Sequence, residues 1–133
     1  MANKLTEDEW AAIALDLTKS KEERIQAAFH LENALKDENV LVLCKGLMTD
    51  PSPIVRHEFA FSLGETAHPR VAGDYLMKAV ETDENIFVRH EALLALSTLG
   101  REEFVPFIKK FLKDKDLEMR ESAEIALQRL ESS

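Results

Sequence analysis

Val55-Arg56-His57-Glu58-Phe59-Ala60-Phe61-Ser62-Leu63-Gly64 and Val88-Arg89-His90-Glu91-Ala92-Leu93-Leu94-Ala95-Leu96 open with the same four letters, 33 residues apart, and each runs on into an apolar stretch. A period near this length marks a helical-repeat protein. Each unit there is a helical hairpin that buries its apolar face by stacking on its neighbours. Adjacent units set equivalent positions of their inner helices side by side. The spacing therefore predicts that His57, Glu58, His90 and Glu91 converge on one surface. Imidazole nitrogen and carboxylate oxygen together suit a divalent transition metal.

The same arithmetic, carried outward, reaches both ends of the chain. Thr6 with Glu9 and Ser20 with Glu23 have capping-box spacing. They predict one helix through Trp10, Ile13, Ala14 and Leu17 and a second through Ile25, Ala28, Leu31 and Leu35. A third is expected over 39–48, with Val40, Leu43, Cys44 and Leu47 on one face. Ser52 then serves as N-cap with Pro53 at the first helical position, and the fourth helix carries the first His-Glu pair to about Gly64. A fifth begins at His68-Pro69 and packs through Val71, Tyr75, Leu76 and Val80, and the sixth carries the second pair and stops at Gly100. A continuous seventh helix is expected over 101–113, with Pro106 in its first turn, and an eighth over 117–130. The expectation is an all-α solenoid of four helical hairpins, about eight helices, in a single domain over residues 1–133.

Arg24, Arg56, Arg89 and Arg120 align the inner helices at spacings of 32, 33 and 31. With the aspartates before them and the Leu-Gly endings after them, they resemble the HEAT family of repeats. The arginines themselves read as a ladder of ion pairs with acidic residues in the turns. In the same alignment His57 and His90 fall in a column with Ile25 and Glu121, and Glu58 and Glu91 in a column with Gln26 and Ser122.

Composition narrows the function classes. The chain is 45% hydrophobic and 32% charged, with only 4 Gly and 4 Pro, which is globular and favours helix. A net charge of -8 argues against nucleic acid and against anionic membranes, and for attraction of a basic protein. The single Cys44 excludes an internal disulfide and fits a reducing compartment. No signal peptide is visible in the polar N-terminus and no apolar run has membrane-spanning length, so a cytoplasmic protein is expected.

A glutamate near a helix start is favoured by the helix dipole, and a histidine can simply fill a surface position. That account suffices for one His-Glu pair better than for the identical pair in two adjacent hairpins. Inner helices about 8–10 Å apart let two imidazoles share one ion at about 2.0–2.1 Å, and one added carboxylate makes the face typical of non-haem iron. Successive helical residues point about 100° apart, so the glutamate after each histidine is also free to reach a second metal or a hydrogen-bond partner behind the ligands.

These residues, with Arg24-Ile25-Gln26-Ala27 ahead and Glu118 to Leu130 behind, are similar to one half of the deoxyhypusine hydroxylase family over residues 20–131. The resemblance implies an iron-dependent, HEAT-like dimetal monooxygenase acting on a lysine-derived side chain of a basic protein. It implies that His57, His90 and Glu91 bind one iron, with Glu58 as bridging ligand or proton acceptor in catalysis. The family carries four His-Glu motifs in one chain and this chain carries two, so a homodimer holding two ions is expected to complete the centre. The alternative is a non-catalytic scaffold that binds a protein along its concave face. The spacing does not exclude the HEAT-like group related to bilin lyases, but no sequence feature argues for it. His30 and His68 lack a neighbouring glutamate and read as structural, and Cys44 reads as core.

Overall fold

Two reciprocal caps start the first hairpin. Thr6 and Glu9, and likewise Ser20 and Glu23, each accept the other's backbone N–H. The computed structural model describes residues 4–132; Met1–Asn3, at the head of the polar N-terminus, and Ser133 lie outside them. Eight helices follow: α1 Glu7–Ala14, α2 Lys21–His30, α3 Asp37–Thr49, α4 Pro53–Gly64, α5 Pro69–Thr82, α6 Ile86–Leu99, α7 Val105–Lys109 and α8 Leu117–Ser132. Ser52 caps α4 with Pro53 in its first turn, and Asn85 caps α6 through the N–H groups of Phe87 and Val88. Gly100 ends α6 at φ 74, a conformation that glycine adopts without strain.

The helices pair as α1–α2, α3–α4, α5–α6 and α7–α8, the four hairpins expected. α2, α4, α6 and α8 pack side by side as an inner row, and α1, α3 and α5 form an outer row. One apolar cluster runs between the rows from Ala11 to Leu127. No strand occurs among the described residues, and no helix among them is long and apolar enough to cross a membrane.

Each inner helix is entered by the same small device. Asp16, Asp50, Asp83 and Asp114 each accept the N–H two residues on, from Thr18, Ser52, Asn85 and Asp116. The aspartate then receives the arginine of the preceding inner helix. Arg24 grips Asp50 with Nε at 2.9 Å and Nη2 at 3.2 Å, and Arg56 grips Asp83 at 3.0 and 3.3 Å. The ladder weakens along the chain. Arg89 stands 4.0 Å from Asp114 and 3.8 Å from Asp116, while the hydrogen bonds of Arg120 go to the carbonyls of Asp114 and Lys115.

Two contacts bring α4 into place. The Phe59 ring, fully buried, lies on Gly46 of α3, where a Cβ would stand 2.2 Å from the ring. Gly64 lies against Ala95 of α6, where a Cβ would meet the Ala95 Cβ at 2.9 Å and its Cα at 3.0 Å. Only a glycine permits that backbone approach, and it sets the distance between the two motif-bearing helices.

Three expectations give way. Leu17 and Leu35, which the spacing puts on the first two helices, lie beyond them and are 60% and 87% exposed, because α1 stops at Ala14 and α2 at His30. Asp16 captures both the N–H and the hydroxyl of Thr18 and turns the chain there, while a 3-10 turn over Leu31–Asn33 follows α2. The seventh helix is not continuous: 3-10 turns over Glu102–Phe104 and Lys110–Lys113 flank a five-residue α-helix. Pro106 offers no N–H to the carbonyl of Glu102, so the segment enters as the tighter helix.

Candidate functional site

His57 and His90 are each the fifth residue of their helix, α4 and α6, and Glu58 and Glu91 are each the sixth. Equivalent turns and caps start both helices, so equivalent side chains emerge in register. The inner row brings α4, α6 and α8 together in that order. Each histidine then reaches one helix onward, toward the residue that follows the aligned position on the next helix. His57 Nε2 stands 3.3 Å from Glu91 Oε1, and His57 Nδ1 stands 3.8 Å from Glu58 Oε1. His90 makes the corresponding reach to α8 and is hydrogen-bonded through Nδ1 to the Ser122 hydroxyl.

Burial differs sharply across the group. The Glu91 side chain is 17% exposed, His57 32% and Glu58 39%. Burial pushes the Glu91 carboxyl above the usual carboxylate range; the neighbouring His57 opposes this and the charge of Glu58 adds to it. Burial also holds His90 below the ordinary histidine value, against the pull of Glu118. Both effects favour uncharged side chains, because burial disfavours the charged form.

The donor types, imidazole nitrogen and carboxylate oxygen, are those that suit a divalent transition ion. Two ligands each about 2.1 Å from one ion at an angle of about 90–109° lie roughly 3.0–3.4 Å apart. The His57–Glu91 separation of 3.3 Å falls in that interval. Among the described residues no three His, Cys, Asp or Glu side chains are gathered closely enough to enclose an ion by themselves. The chain thus presents one close imidazole–carboxylate pair, with Glu58 beside it and His90 held one helix further on. A cleft lined by Pro53, Ile54, His57, Asn85 and Phe87 opens between the starts of α4 and α6. Its apolar walls Ile54 and Phe87 are well exposed.

The other singled-out residues have structural roles. The His30 ring stacks on Trp10, with centroids 4.0 Å apart. His68 does more than turn the chain: its Nδ1 lies 2.6 Å from Asp37 and its Nε2 2.9 Å from the Ala34 carbonyl, tying α5 back to the start of α3. Cys44 is fully buried and its thiol is pushed up to about 12, mainly by burial. Sequence reasoning missed Ser122 as a partner of His90. Its column already held Glu58 and Glu91, and that alignment was the available signal.

A family profile described as HEAT repeats matches residues 40–128. Deoxyhypusine hydroxylase of Danio rerio is 36% identical over 117 residues, covering 88% of this chain and 38% of the relative. That of Cryptococcus neoformans is 40% identical over 112 residues, covering 82% and 30%. The chain therefore spans well under half the length of the curated relatives it matches. The solved structure of human deoxyhypusine hydroxylase in complex with glycerol superimposes with a TM-score of 0.87 at 32% identity, covering 99% of this chain and 46% of that one. The CpcE–CpcF complex of phycocyanin lyase from Nostoc superimposes at a TM-score of 0.63 and 17% identity, which shows shared fold alone.

Proposed function

The chain belongs to the HEAT-repeat family and resembles one half of deoxyhypusine hydroxylase, and from that premise we propose that it is a cytoplasmic, iron-dependent hydroxylase whose complete centre forms between two copies. The observation that carries this reading is the His57 Nε2–Glu91 Oε1 pair, 3.3 Å apart, with a carboxyl that burial pushes above its usual range. His57, His90 and Glu91 are the ligands, and Glu58 is the bridging ligand or proton acceptor. Iron supplies the redox chemistry that a hydroxylation needs. The residues of this chain orient it, and the cleft beside His57 admits the side chain to be modified. A lysine-derived side chain on a basic protein fits a molecule of net charge -8, which attracts such a partner at a distance.

In this reading two copies meet, each contributing the one face that carries His57, Glu58, His90 and Glu91. A two-fold contact needs only that one patch complement itself, and it places Glu58 and Glu91 of both copies near the axis. Four carboxylates meeting there repel one another, and two divalent ions neutralise them. Metal therefore tightens the dimer, and chelation shifts it toward monomer.

Sedimentation with and without chelator, combined with metal analysis, tests the reading. The expected result is a dimer with two ions that dissociates when they are removed. A monomer at high concentration, or a protein that takes up no iron or manganese under reducing conditions, refutes the dimetal enzyme. Partner binding by such a metal-free monomer would leave the scaffold.

A further inference from the structure

Ser122 sits in the interior of α8, fully buried, where a hydroxyl contributes nothing to helix formation that alanine would not exceed. It has two hydrogen-bonding neighbours. Its Oγ lies 2.6 Å from the Glu118 carbonyl and is also bonded to His90 Nδ1. A carbonyl oxygen only accepts, and a serine hydroxyl has one hydrogen. That hydrogen therefore goes to Glu118, and the Oγ can only accept from His90. His90 must then carry its proton on Nδ1, which leaves the lone pair of a neutral ring on Nε2.

We propose that Ser122 is a positioning residue, which fixes His90 in the Nδ1–H tautomer and so leaves Nε2 as the nitrogen with a lone pair to ligate. The inference rests on the metal-binding reading for its consequence, though the tautomer itself does not depend on it. The repeat register supports the assignment. Where His57 reaches the next inner helix it meets the carboxylate of Glu91, a group able to ligate. Where His90 makes the same reach it meets a hydroxyl, which orients the ring but leaves the ligand position to others. α8 closes the row with a support in place of a third ligand pair.

The test begins with metal-free protein. Long-range proton–nitrogen NMR on the His90 ring is expected to show Nδ1 protonated and Nε2 unprotonated in wild type, and loss of that preference in Ser122→Ala. The Nε2–H form in wild type overturns the proposal. Titration with manganese or cobalt(II) then reads the consequence: Ser122→Ala should weaken the ion's Kd by about 10–100-fold, the usual effect of removing a hydrogen bond behind a ligating histidine. Ser122→Thr, which retains the hydroxyl, should restore both tautomer and affinity. In a His90→Ala background Ser122→Ala should change nothing, whereas a merely structural role would still register there. An unchanged Kd in Ser122→Ala, within a factor of two, overturns the proposal. Failure of wild type to bind either ion overturns the metal reading and with it the ligand role of Nε2, while the NMR result still decides the tautomer.

Discussion

Arg24→Ala should be the most damaging single substitution in the arginine ladder. Arg24 and Asp50 are 6% and 2% exposed, and their bond is two-pronged, at 2.9 and 3.2 Å. Arg24 also donates to the Lys19 carbonyl at 2.7 Å. Truncation leaves a buried carboxylate that still accepts the Ser52 N–H but has lost its cation. Breaking such a pair from one side costs about 3–5 kcal/mol. With an unfolding entropy of about 2.1 cal/mol/K per residue, that lowers Tm by roughly 11–18 °C for a chain of this length. Arg89→Ala removes contacts of 3.8 and 4.0 Å to aspartates that are 44% and 20% exposed, and a 2.7 Å bond to the Val80 carbonyl. Its cost should be about 1–2 kcal/mol. Urea unfolding followed by circular dichroism, with the fluorescence of Trp10 as a second probe, measures both. Arg24→Met with Asp50→Asn should recover much of the loss, because no unpaired charge is then left behind. Equal costs for Arg24→Ala and Arg89→Ala, or a cost below about 1 kcal/mol for Arg24→Ala, would refute the reasoning.

Gly64→Ala should destabilise by about 1–3 kcal/mol, since the added methyl meets backbone of α6, and it should weaken metal binding by spreading His57 from Glu91; calorimetry on one sample reads both effects. Cys44 should resist alkylation at pH 8 and react only as the chain unfolds, because its thiol is held near 12 in the fold. Glu7 is held below its ordinary value by the Leu35 N–H, the Asn39 amide and the Lys36 N–H. Its stabilisation is therefore present above pH 4.5 and is lost as pH falls through the depressed folded value, so Glu7→Gln should flatten the acid limb of a Tm-against-pH curve. Glu91 has the opposite sign: its raised folded value gives stability that is present below pH 4.5 and lost as pH rises. Glu91→Gln should accordingly leave the metal-free protein at neutral pH as stable as wild type or more so, while abolishing the Tm gain on adding iron or manganese.

The architecture was legible because its signals are local and repeated. Capping boxes at Thr6 and Ser20, Ser52-Pro53 and Gly100 mark helix ends through side chains only three or four residues away, and all four act as read. Leu17 and Leu35 misled because apolar spacing continues after a competing turn has already ended the helix. At the site, the repeated letters placed His57 and Glu91 on neighbouring helices. They did not say which nitrogen would face which oxygen, since that depends on rotamers set by packing. The Ser122 contact lay in the column of Glu58 and Glu91, but a hydroxyl there does not announce a partner for histidine, and the bridge from His68 to Asp37 joins residues 31 apart with no pattern between them.

The onward reach of each histidine gives the row a direction. A run of such units makes one fewer histidine–carboxylate contact than it has units. At the leading end Ile25 occupies the column from which a histidine would reach Glu58, and at the trailing end Ser122 receives His90 in place of a carboxylate. The ends are thus chemically unlike, one a spare acid and the other a spare base. Insertion of one more hairpin between them would add one more contact and leave both ends unaltered. A row of such contacts can lengthen by whole units without the loss of its end contacts, which is a freedom that a cluster assembled from unrelated loops does not have.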